Sequence, residues 1–332
     1  MMVIGIDSHK DHLAACLIEE TGRAVEHRLI GNTSRGHAEL AAWAQHLGVG
    51  RVAVEGSGSY GRPAALVLLQ AGVNVVEVPP QMTAHARRGQ RTGTKTDPSD
   101  ALLIARIAAR DDDLPPPRPD GPTEDLRCVT AYRRELVKSR NQHINRLHGD
   151  LEQTRCGYHR KISGVLSSPK TLTRVSRLLS GNTSTRAQIA RRRIRHIREL
   201  NRQITEVTTE IASLVTAVNT TLTNIYGIGA LTAAEILAET GDPARFATKD
   251  KFAMANGTAP LQASSGRIVR HRLNRGGNRQ LNKAIHTAAI AQIAKPHSEG
   301  HHYYQRCLDR GNSNAKSQTA SGPTSNKPPP KI

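Results

Sequence analysis

The sequence predicts an α/β domain first, then a helical middle region and a mostly α-helical C-terminal domain. Over residues 1–113, short apolar runs alternate with helix-like spacing, and beyond residue 123 the spacing is helical almost throughout. Between these regions, the proline-rich segment 114–122 cannot continue a helix and predicts a stiff linker. The expected regions are an α/β domain at 1–113, the linker at 114–122, a basic helical region at 123–218, a helical domain at 219–310 and a disordered tail at 311–332.

The α/β domain begins with strands and then alternates strands with helices. This order predicts three antiparallel strands that lead into a parallel part of the same sheet. The strands are expected at 3–7, 12–18, 25–30, 52–55 and 73–78, and the helices at 37–47, at a stretch ending near residue 71, and from about Asp97 onward.

The middle region carries an apolar seam whose members are alternately three and four residues apart. This spacing is typical of a coiled coil or a long helical hairpin, although an ordinary amphipathic helix in a bundle would show it too. Because a coiled-coil seam would join two copies of the chain, we expect a homodimer or a tetramer. The arginines at 191–193 place positive charge beside this seam, whose members are Ile197, Leu200, Ile204, Val207, Ile211, Leu214 and Val218.

The C-terminal domain opens with a glycine-containing turn at 224–229, followed by an apolar helix at 231–239. Such a turn resembles a helix-hairpin-helix element, in which Gly227 and Gly229 would let backbone N–H groups approach a phosphate. A simple glycine turn between two helices is the alternative interpretation.

The composition indicates a polyanionic partner. The 332 residues include 47 lysines and arginines and 28 acidic residues, which gives a net charge of +19 and a pI near 10.4. Only 3% of the residues are aromatic, which argues against single-strand recognition by base stacking. No apolar stretch is long enough to span a membrane, and the N-terminal segment does not have the pattern of a signal peptide. The four scattered cysteines predict free thiols in a reducing cytoplasm.

Four acidic residues lie where a sheet of this order would bring them together. Asp7 and Glu55 end predicted strands, and Asp97 and Asp100 share one face at the start of a helix. Clustered carboxylate oxygens favour Mg²⁺ or Mn²⁺, and two such ions can activate a nucleophile and stabilise a leaving oxygen at a phosphodiester. The joint pattern is the layout of ribonuclease-H-like nucleases.

Each acid also has a purely structural interpretation. Asp97 is a possible helix N-cap, with Pro98 at the first helical position and Asp100 facing the helix dipole. Asp7 and Glu55 would then be solvated strand ends. In that case the protein would be a basic nucleic-acid-binding or coating protein without enzymatic activity.

A second candidate site lies in a loop of the C-terminal domain. Ser265 and its neighbour Ser264 are followed by Arg267, Arg270, Arg272 and Arg275, and nearby cations would meet the negative charge that develops when a serine attacks a phosphodiester. A lone Ser-Gly pair in a loop is usually structural.

The motifs GIDSHKD, VEGSGSYG and GTKTDPSDA resemble the three blocks of the IS110 family of insertion-sequence transposases, which is related to the Piv DNA invertases. The resemblance implies a RuvC-like domain with a D-E-D-D tetrad, which corresponds to Asp7, Glu55, Asp97 and Asp100. The block NGTAP…SSGR is similar to the transposase domain of the same family and places the nucleophilic serine at Ser265. Past residues 301–306 the family continues into another basic helix, whereas this chain continues into serine, asparagine and proline.

The resemblance implies a function for the whole chain. It implies a bacterial, cytoplasmic DNA transposase that uses Mg²⁺ or Mn²⁺, forms a phosphoserine intermediate and acts on double-stranded donor and target DNA. It also implies a structured bridge RNA as a guide, and catalytic halves contributed by different protomers. The alternatives are a junction resolvase in which water attacks without a covalent intermediate, and the non-enzymatic basic protein.

Overall fold

The computed structural model describes residues 1–88, 96–118, 121–263, 270–274 and 276–310. The chain divides into two units, Met1–Pro119 and Asp120–Ile332, and each has its own hydrophobic core. Ser264, Ser265, Arg267, Arg275 and the predicted tail lie outside the described residues.

The first unit is built on a five-stranded mixed sheet. Its strands are β1 (Val3–Ser8), β2 (His12–Ile18), β3 (Ala24–Gly31), β4 (Arg51–Glu55) and β5 (Val75–Glu77), arranged in the order β3-β2-β1-β4-β5. β1, β2 and β3 are antiparallel neighbours, and β4 and β5 continue the sheet in parallel with β1. This arrangement confirms the predicted α/β fold with an antiparallel start and a parallel continuation.

Helices cover both faces of this sheet. α1 (Ser34–His46) and α2 (Arg62–Gln70) pack on one face, where Leu40 and Leu68 meet the strands. α4 (Asp97–Arg110) covers the other face through Ala101, Ile104 and Ala105. Burial on both faces explains why β1 and β4 read as continuous apolar runs rather than as alternating patterns.

Two details of the first unit were not anticipated. A further helix, α3 (Pro80–Arg88), follows β5. The first residues of the proline-rich segment also pack onto this unit, because Leu114 is buried in its core and the carbonyl of Pro115 accepts a hydrogen bond from the N–H of Glu77.

In the described part of the second unit, helices are accompanied by one small antiparallel hairpin. Its longest elements are α5 (Pro122–Thr154) and α7 (Thr185–Val218), with α6 (Pro169–Leu178) between them in sequence. The remaining elements are α8 (Ala230–Thr240), α9 (Lys249–Asn256), the strands β6 (Leu261–Gln262) and β7 (His271–Arg272), α10 (Arg279–Ile293) and α11 (Glu299–Asp309).

The predicted seam of the middle region packs within the chain. α7 runs antiparallel to α5, as shown by Arg193 bonded to Asp150 near one end and Arg133 bonded to Thr208 near the other. Ile204, Val207 and Ile211 share a core with residues of α5 and α8, and Ile197 packs in the core near the far end of α5. The structure therefore shows the long helical hairpin, and assembly of several copies remains a prediction.

The glycine turn before α8 has a packing role. Gly227 has a φ of +82°, and a Cβ atom there would lie 2.9 Å from the Cβ of Ala291 in α10. Gly229 is the N-cap residue of α8. Within the described ranges, no helix is both long and apolar enough to cross a membrane.

Candidate metal centre in the first unit

Asp7 and Glu55 stand side by side at the ends of two parallel strands. β1 and β4 pair in register, so that Asp7 is the direct partner of Glu55. The hydroxyl of Ser8 donates a 2.6 Å hydrogen bond to the backbone carbonyl of Glu55, which ties the two strand ends together. The sheet thus places both carboxylates at the edge where sites of α/β proteins form.

α4 brings the other two acids to the same edge. The helix is capped by Thr96 and Ser99, because the Ser99 hydroxyl accepts a 3.2 Å hydrogen bond from the N–H of Thr96. The expectation that Asp97 is the N-cap is therefore wrong: Asp97 is the first helical residue and its carboxylate turns to other partners. Asp100 is almost completely buried, with only 4% of its surface exposed.

Two histidines of the β1–β2 hairpin contact these acids, and His9 links Asp7 to Asp97. The Nε2 atom of His9 lies 3.2 Å from a carboxylate oxygen of Asp7 and 3.4 Å from one of Asp97. The Nε2 atom of His12 lies 3.1 Å from the other oxygen of Asp97. His9, His12 and Asp97 each offer a ligand atom, and these atoms lie within 4.8 Å of one another.

α3 supplies two further partners that the sequence did not reveal. Arg87 pairs with Asp100 through Nη2 at 2.9 Å, and the hydroxyl of Thr83 donates a 3.1 Å hydrogen bond to Glu55. No motif marks these residues, because α3 is short and its arginines look like ordinary surface charge. Only the apolar helix spacing at 80–88 would have offered a signal, and it is weak.

The electrostatics of the cluster disfavour its metal-free, fully ionised form. Burial is the main cause that raises the pKa of Asp7, and the charges of Asp100 and Asp97 raise it further. Burial likewise raises the pKa of Glu55, with Asp7 and Asp100 adding to the effect. Nearby hydrogen bonds and positive charges oppose these shifts only in part. The neighbouring acids thus raise the pKa of Asp7 and Glu55, and a cation bound beside these two carboxylates would relieve the repulsion.

The donor set fits a hard divalent cation. Carboxylates from two strands and one helix lie at this edge of the sheet, and carboxylate oxygens are the ligands that Mg²⁺ and Mn²⁺ prefer. The two imidazole nitrogens beside Asp97 add ligands that suit softer ions such as Zn²⁺. Asp7 pairs with Glu55, and Asp100 raises the pKa of both, whereas the described residues whose ligand atoms lie within 4.8 Å of one another are His9, His12 and Asp97. The four-acid metal site therefore stays a prediction, and neither histidine was predicted as a ligand.

The predicted site residues of the second unit are only partly described. Arg270 is exposed beside β7, and Arg272 is exposed within it. The N–H of Ala263 donates a 2.7 Å hydrogen bond to the carbonyl of Arg270, so the two residues that flank segment 264–269 lie next to each other. Ser265 and its neighbours 264–269 fall between these two residues.

Two family models match the chain over most of its length. The model described as a transposase, the DEDD transposase of IS110, matches residues 4–156. The model described as the transposase of the IS116/IS110/IS902 family matches residues 219–305. The first match contains all four acids of the cluster, and the second contains the hairpin β6–β7.

Relatives from insertion elements agree with these models. A 42 kDa protein of insertion element IS900 from Mycobacterium paratuberculosis is 25% identical over 92% of this chain and 89% of its own length. A 44.8 kDa protein of IS116 from Streptomyces clavuligerus is 31% identical over 43% of this chain and 36% of its own length.

Solved structures similar to part of the chain include two of RuvC from Thermus thermophilus. RuvC in complex with a Holliday junction substrate aligns with 34% of this chain and 98% of its own, at 19% identity and a TM-score of 0.29. The second RuvC structure aligns over the same shares at 20% identity and a TM-score of 0.28.

Both family models and the relatives from insertion elements lead to one conclusion: the chain belongs to the IS110 family of insertion-sequence transposases.

Proposed function

We propose that this transposase cuts and rejoins double-stranded DNA at a divalent-cation site formed by Asp7, Glu55, Asp97 and Asp100. The observation that carries the proposal is the register pairing of Asp7 with Glu55, to which α4 adds the other two acids. Bound there, Mg²⁺ or Mn²⁺ would supply charge neutralisation at the phosphodiester and activation of the attacking oxygen.

The residues of the chain have separate tasks in this scheme. The four carboxylates would hold the cation, and the sheet pairing and the Thr96–Ser99 cap support the elements that carry them. Arg87 pairs with Asp100 and holds its carboxylate in position, and Thr83 orients Glu55. His9 lies within reach of the proton of a reacting group beside Asp7.

The proposed nucleophile is the hydroxyl of Ser265, with Ser264 as the less favoured neighbour. In the transfer step the serine oxygen loses its proton and forms a bond to phosphorus. The bond from phosphorus to a deoxyribose oxygen breaks, and that oxygen takes up a proton. The resulting phosphoserine link conserves the energy of the phosphodiester, so the strand is rejoined when the new DNA end attacks it. Arg267, Arg270, Arg272 and Arg275 would stabilise the negative charge of the transition state.

The proposed partners follow from the family and the charge. A net charge of +19 suits donor DNA, target DNA and a structured bridge RNA, all of which are polyanions. Gly227 and Gly229 would lie at a phosphate contact. We propose further that the protein acts in the bacterial cytoplasm on DNA, as a homodimer or tetramer whose protomers share active sites.

A cleavage assay separates this proposal from a hydrolytic resolvase. Junction DNA incubated with the protein and Mg²⁺ should yield a covalent protein–DNA adduct that survives denaturation. Ser265→Ala should abolish the adduct, whereas the matched variant Ser264→Ala should retain it. Cleavage without any adduct would indicate attack by water. An adduct that persists in Ser265→Ala would rule out Ser265 as the nucleophile.

Mixing two inactive variants tests the shared site. Asp7→Ala and Ser265→Ala proteins should each be inactive alone, and their mixture should recover part of the activity if protomers exchange catalytic halves. A mixture that stays inactive would place both groups of one site in the same chain.

A further inference from the structure

A polar cavity of about 460 Å³ lies in the second unit, beside the end of β7 and the start of α10. Its lining includes Asn256 from the end of α9 and four side chains of α10, namely Arg279, Asn282, Lys283 and His286. Every one of these groups donates hydrogen bonds, or does so when protonated.

The backbone around the cavity is held in place by two glycines. Gly257 has a φ of +77°, and a Cβ atom on Gly277 would lie 2.3 Å from the backbone nitrogen of Gly257. The N–H of Asn278 also donates a 2.7 Å hydrogen bond to the carbonyl of Ala255. Because no larger residue fits at this approach, the end of α9 and the start of α10 are locked against each other.

Asn256 presents a buried donor without an acceptor. The residue is completely buried, and its Oδ1 atom accepts a 2.9 Å hydrogen bond from the N–H of Thr258. Its Nδ2 group has no hydrogen-bond partner among the residues that the structure describes. A buried donor without a partner costs about 1–3 kcal/mol in the free energy of folding. A ligand oxygen that accepted a hydrogen bond from this Nδ2 group would remove that cost.

The charge of the cavity favours an anion. Arg279 and Lys283 lie one helical turn apart on the same face of α10. Glu235, whose charge interacts with that of Lys283, and Glu239 both pair with Arg134. The Asn278 side chain caps α10 by accepting from the N–H groups of Gln280 and Leu281, so the site consists of side chains rather than of free helix-end donors.

A second cavity of about 730 Å³ shares Gln280 and Lys283 with the first and extends along α10 to α5. Arg133 and Lys138 line it together with Glu235 and the apolar Leu231. The two cations of α5 would attract further phosphates of a polyanion that is bound at the first cavity.

We propose that the cavity binds a backbone phosphate of double-stranded DNA, with Asn256, Arg279 and Lys283 as its principal contacts. This inference rests on the proposed function, which supplies DNA as the substrate. It adds a phosphate site in the second unit that needs no metal ion.

Binding to duplex DNA in the presence of a chelator tests the inference. The full-length protein is titrated with a fluorescent duplex of about 30 base pairs at several salt concentrations. Asn256→Asp keeps the Oδ1 acceptor but replaces the donor with an anionic oxygen, and should weaken binding about tenfold. Arg279→Gln and Lys283→Gln should each lower the slope of log K against log salt by about 0.9, as expected for one lost phosphate contact.

Matched variants outside the cavity control for net charge. Gln153→Glu adds the same charge as Asn256→Asp, and Lys170→Gln removes the same charge as Lys283→Gln, at exposed positions of the same unit. Both should bind DNA within about twofold of the parent protein. If the control variants weaken binding as much as the cavity variants, total charge explains the effect and the inference is overturned. Arg279 and Lys283 are exposed side chains, so their variants remain informative even if Asn256→Asp does not fold.

Two further comparisons identify the ligand and separate this inference from the proposed function. A duplex RNA of the same length is titrated in parallel, and a loss confined to RNA would overturn the assignment to DNA. Asp7→Asn should abolish cleavage while duplex binding is retained. If Asp7→Asn still cleaves, the proposed function fails while the phosphate site stands. If the cavity variants bind duplex DNA like the parent protein while Asp7→Asn abolishes cleavage, the phosphate site fails and the metal site stands.

Discussion

Gly5 of β1 lies directly against Ala105 of α4. A Cβ atom on Gly5 would be 2.3 Å from the backbone nitrogen of Ala105, and it would also meet the carbonyl of Ala101 at 2.3 Å. The helix that carries Asp97 and Asp100 can therefore approach the strand that carries Asp7 only because residue 5 has no side chain. The spacing of the acid cluster depends on this contact.

Gly5→Ala should separate α4 from β1. Overpacking of this kind costs about 1–3 kcal/mol in the free energy of unfolding, measured by urea denaturation. The same variant should bind Mn²⁺ more weakly in calorimetry, because Asp100 moves away from Asp7. Gly149→Ala is the control, since no atom lies within 4 Å of its added Cβ, and in mid-helix it should stabilise the protein by about 0.5–1 kcal/mol. Unchanged stability and Mn²⁺ affinity in Gly5→Ala would refute the packing argument.

Arg87→Gln should destabilise the metal-free protein. Asp100 is nearly buried, and loss of its 2.9 Å partner leaves a carboxylate without its cation, at a cost of about 1–3 kcal/mol because the pair is partly exposed. Thermal melting in a chelator should show a lowered Tm that Mn²⁺ partly restores. Arg88→Gln removes the same charge at the exposed neighbouring position and should melt like the parent protein. Equal melting of the two variants would show that the Arg87 pair contributes little.

The double variant Asp7→Asn, Glu55→Gln should gain stability relative to the parent protein as the pH rises. Burial raises the pKa of Asp7 above its ordinary value of 3.8 and that of Glu55 above 4.5. In the parent protein, the favourable contribution of the protonated groups is complete below the ordinary values and is lost as the pH rises through the raised ones. Amides cannot ionise and escape this loss. Urea unfolding of both proteins in a chelator should therefore show their difference growing from acid to neutral pH. A constant difference would contradict the raised pKa values.

His12→Gln should reduce inhibition by Zn²⁺. The two imidazoles beside Asp97 form a ligand set that suits Zn²⁺, whereas Mg²⁺ uses the carboxylate oxygens. Cleavage of junction DNA in Mg²⁺ should be inhibited by added Zn²⁺ in the parent protein, and about tenfold more Zn²⁺ should be needed in the variant. His27→Gln, a change at a histidine outside this cluster, should leave the inhibition unchanged. Equal sensitivity of all three proteins would place the Zn²⁺ elsewhere.

Local patterns predicted much of the first unit. The bounds of β2 match the predicted strand and Glu55 ends β4 as expected, whereas β1 runs one residue past Asp7, to Ser8. Short apolar runs before an acid leave few alternatives in a sheet buried on both faces. The order of strands and helices also predicted that Asp7 and Glu55 lie at the same edge, where the two residues pair directly.

Two features depend on tertiary structure and escaped prediction, and a third was predicted only as one of several alternatives. The N-cap of α4 is Thr96 rather than Asp97, because either residue can cap and only the packing of α4 selects one. Arg87 lies on a short helix without a strong periodic pattern. The heptad-like seam packs against α5 of the same chain, and spacing alone does not tell which partner an apolar stripe meets.

The location of bound Mn²⁺ is the most direct test of the metal centre. Crystals grown with Mn²⁺ should show anomalous density bonded to carboxylate oxygens of Asp7 and Asp100, with Glu55 and Asp97 completing the site. Density held only by His9, His12 and Asp97, with none at Asp7 and Glu55, would contradict the four-carboxylate centre and the cleavage mechanism built on it.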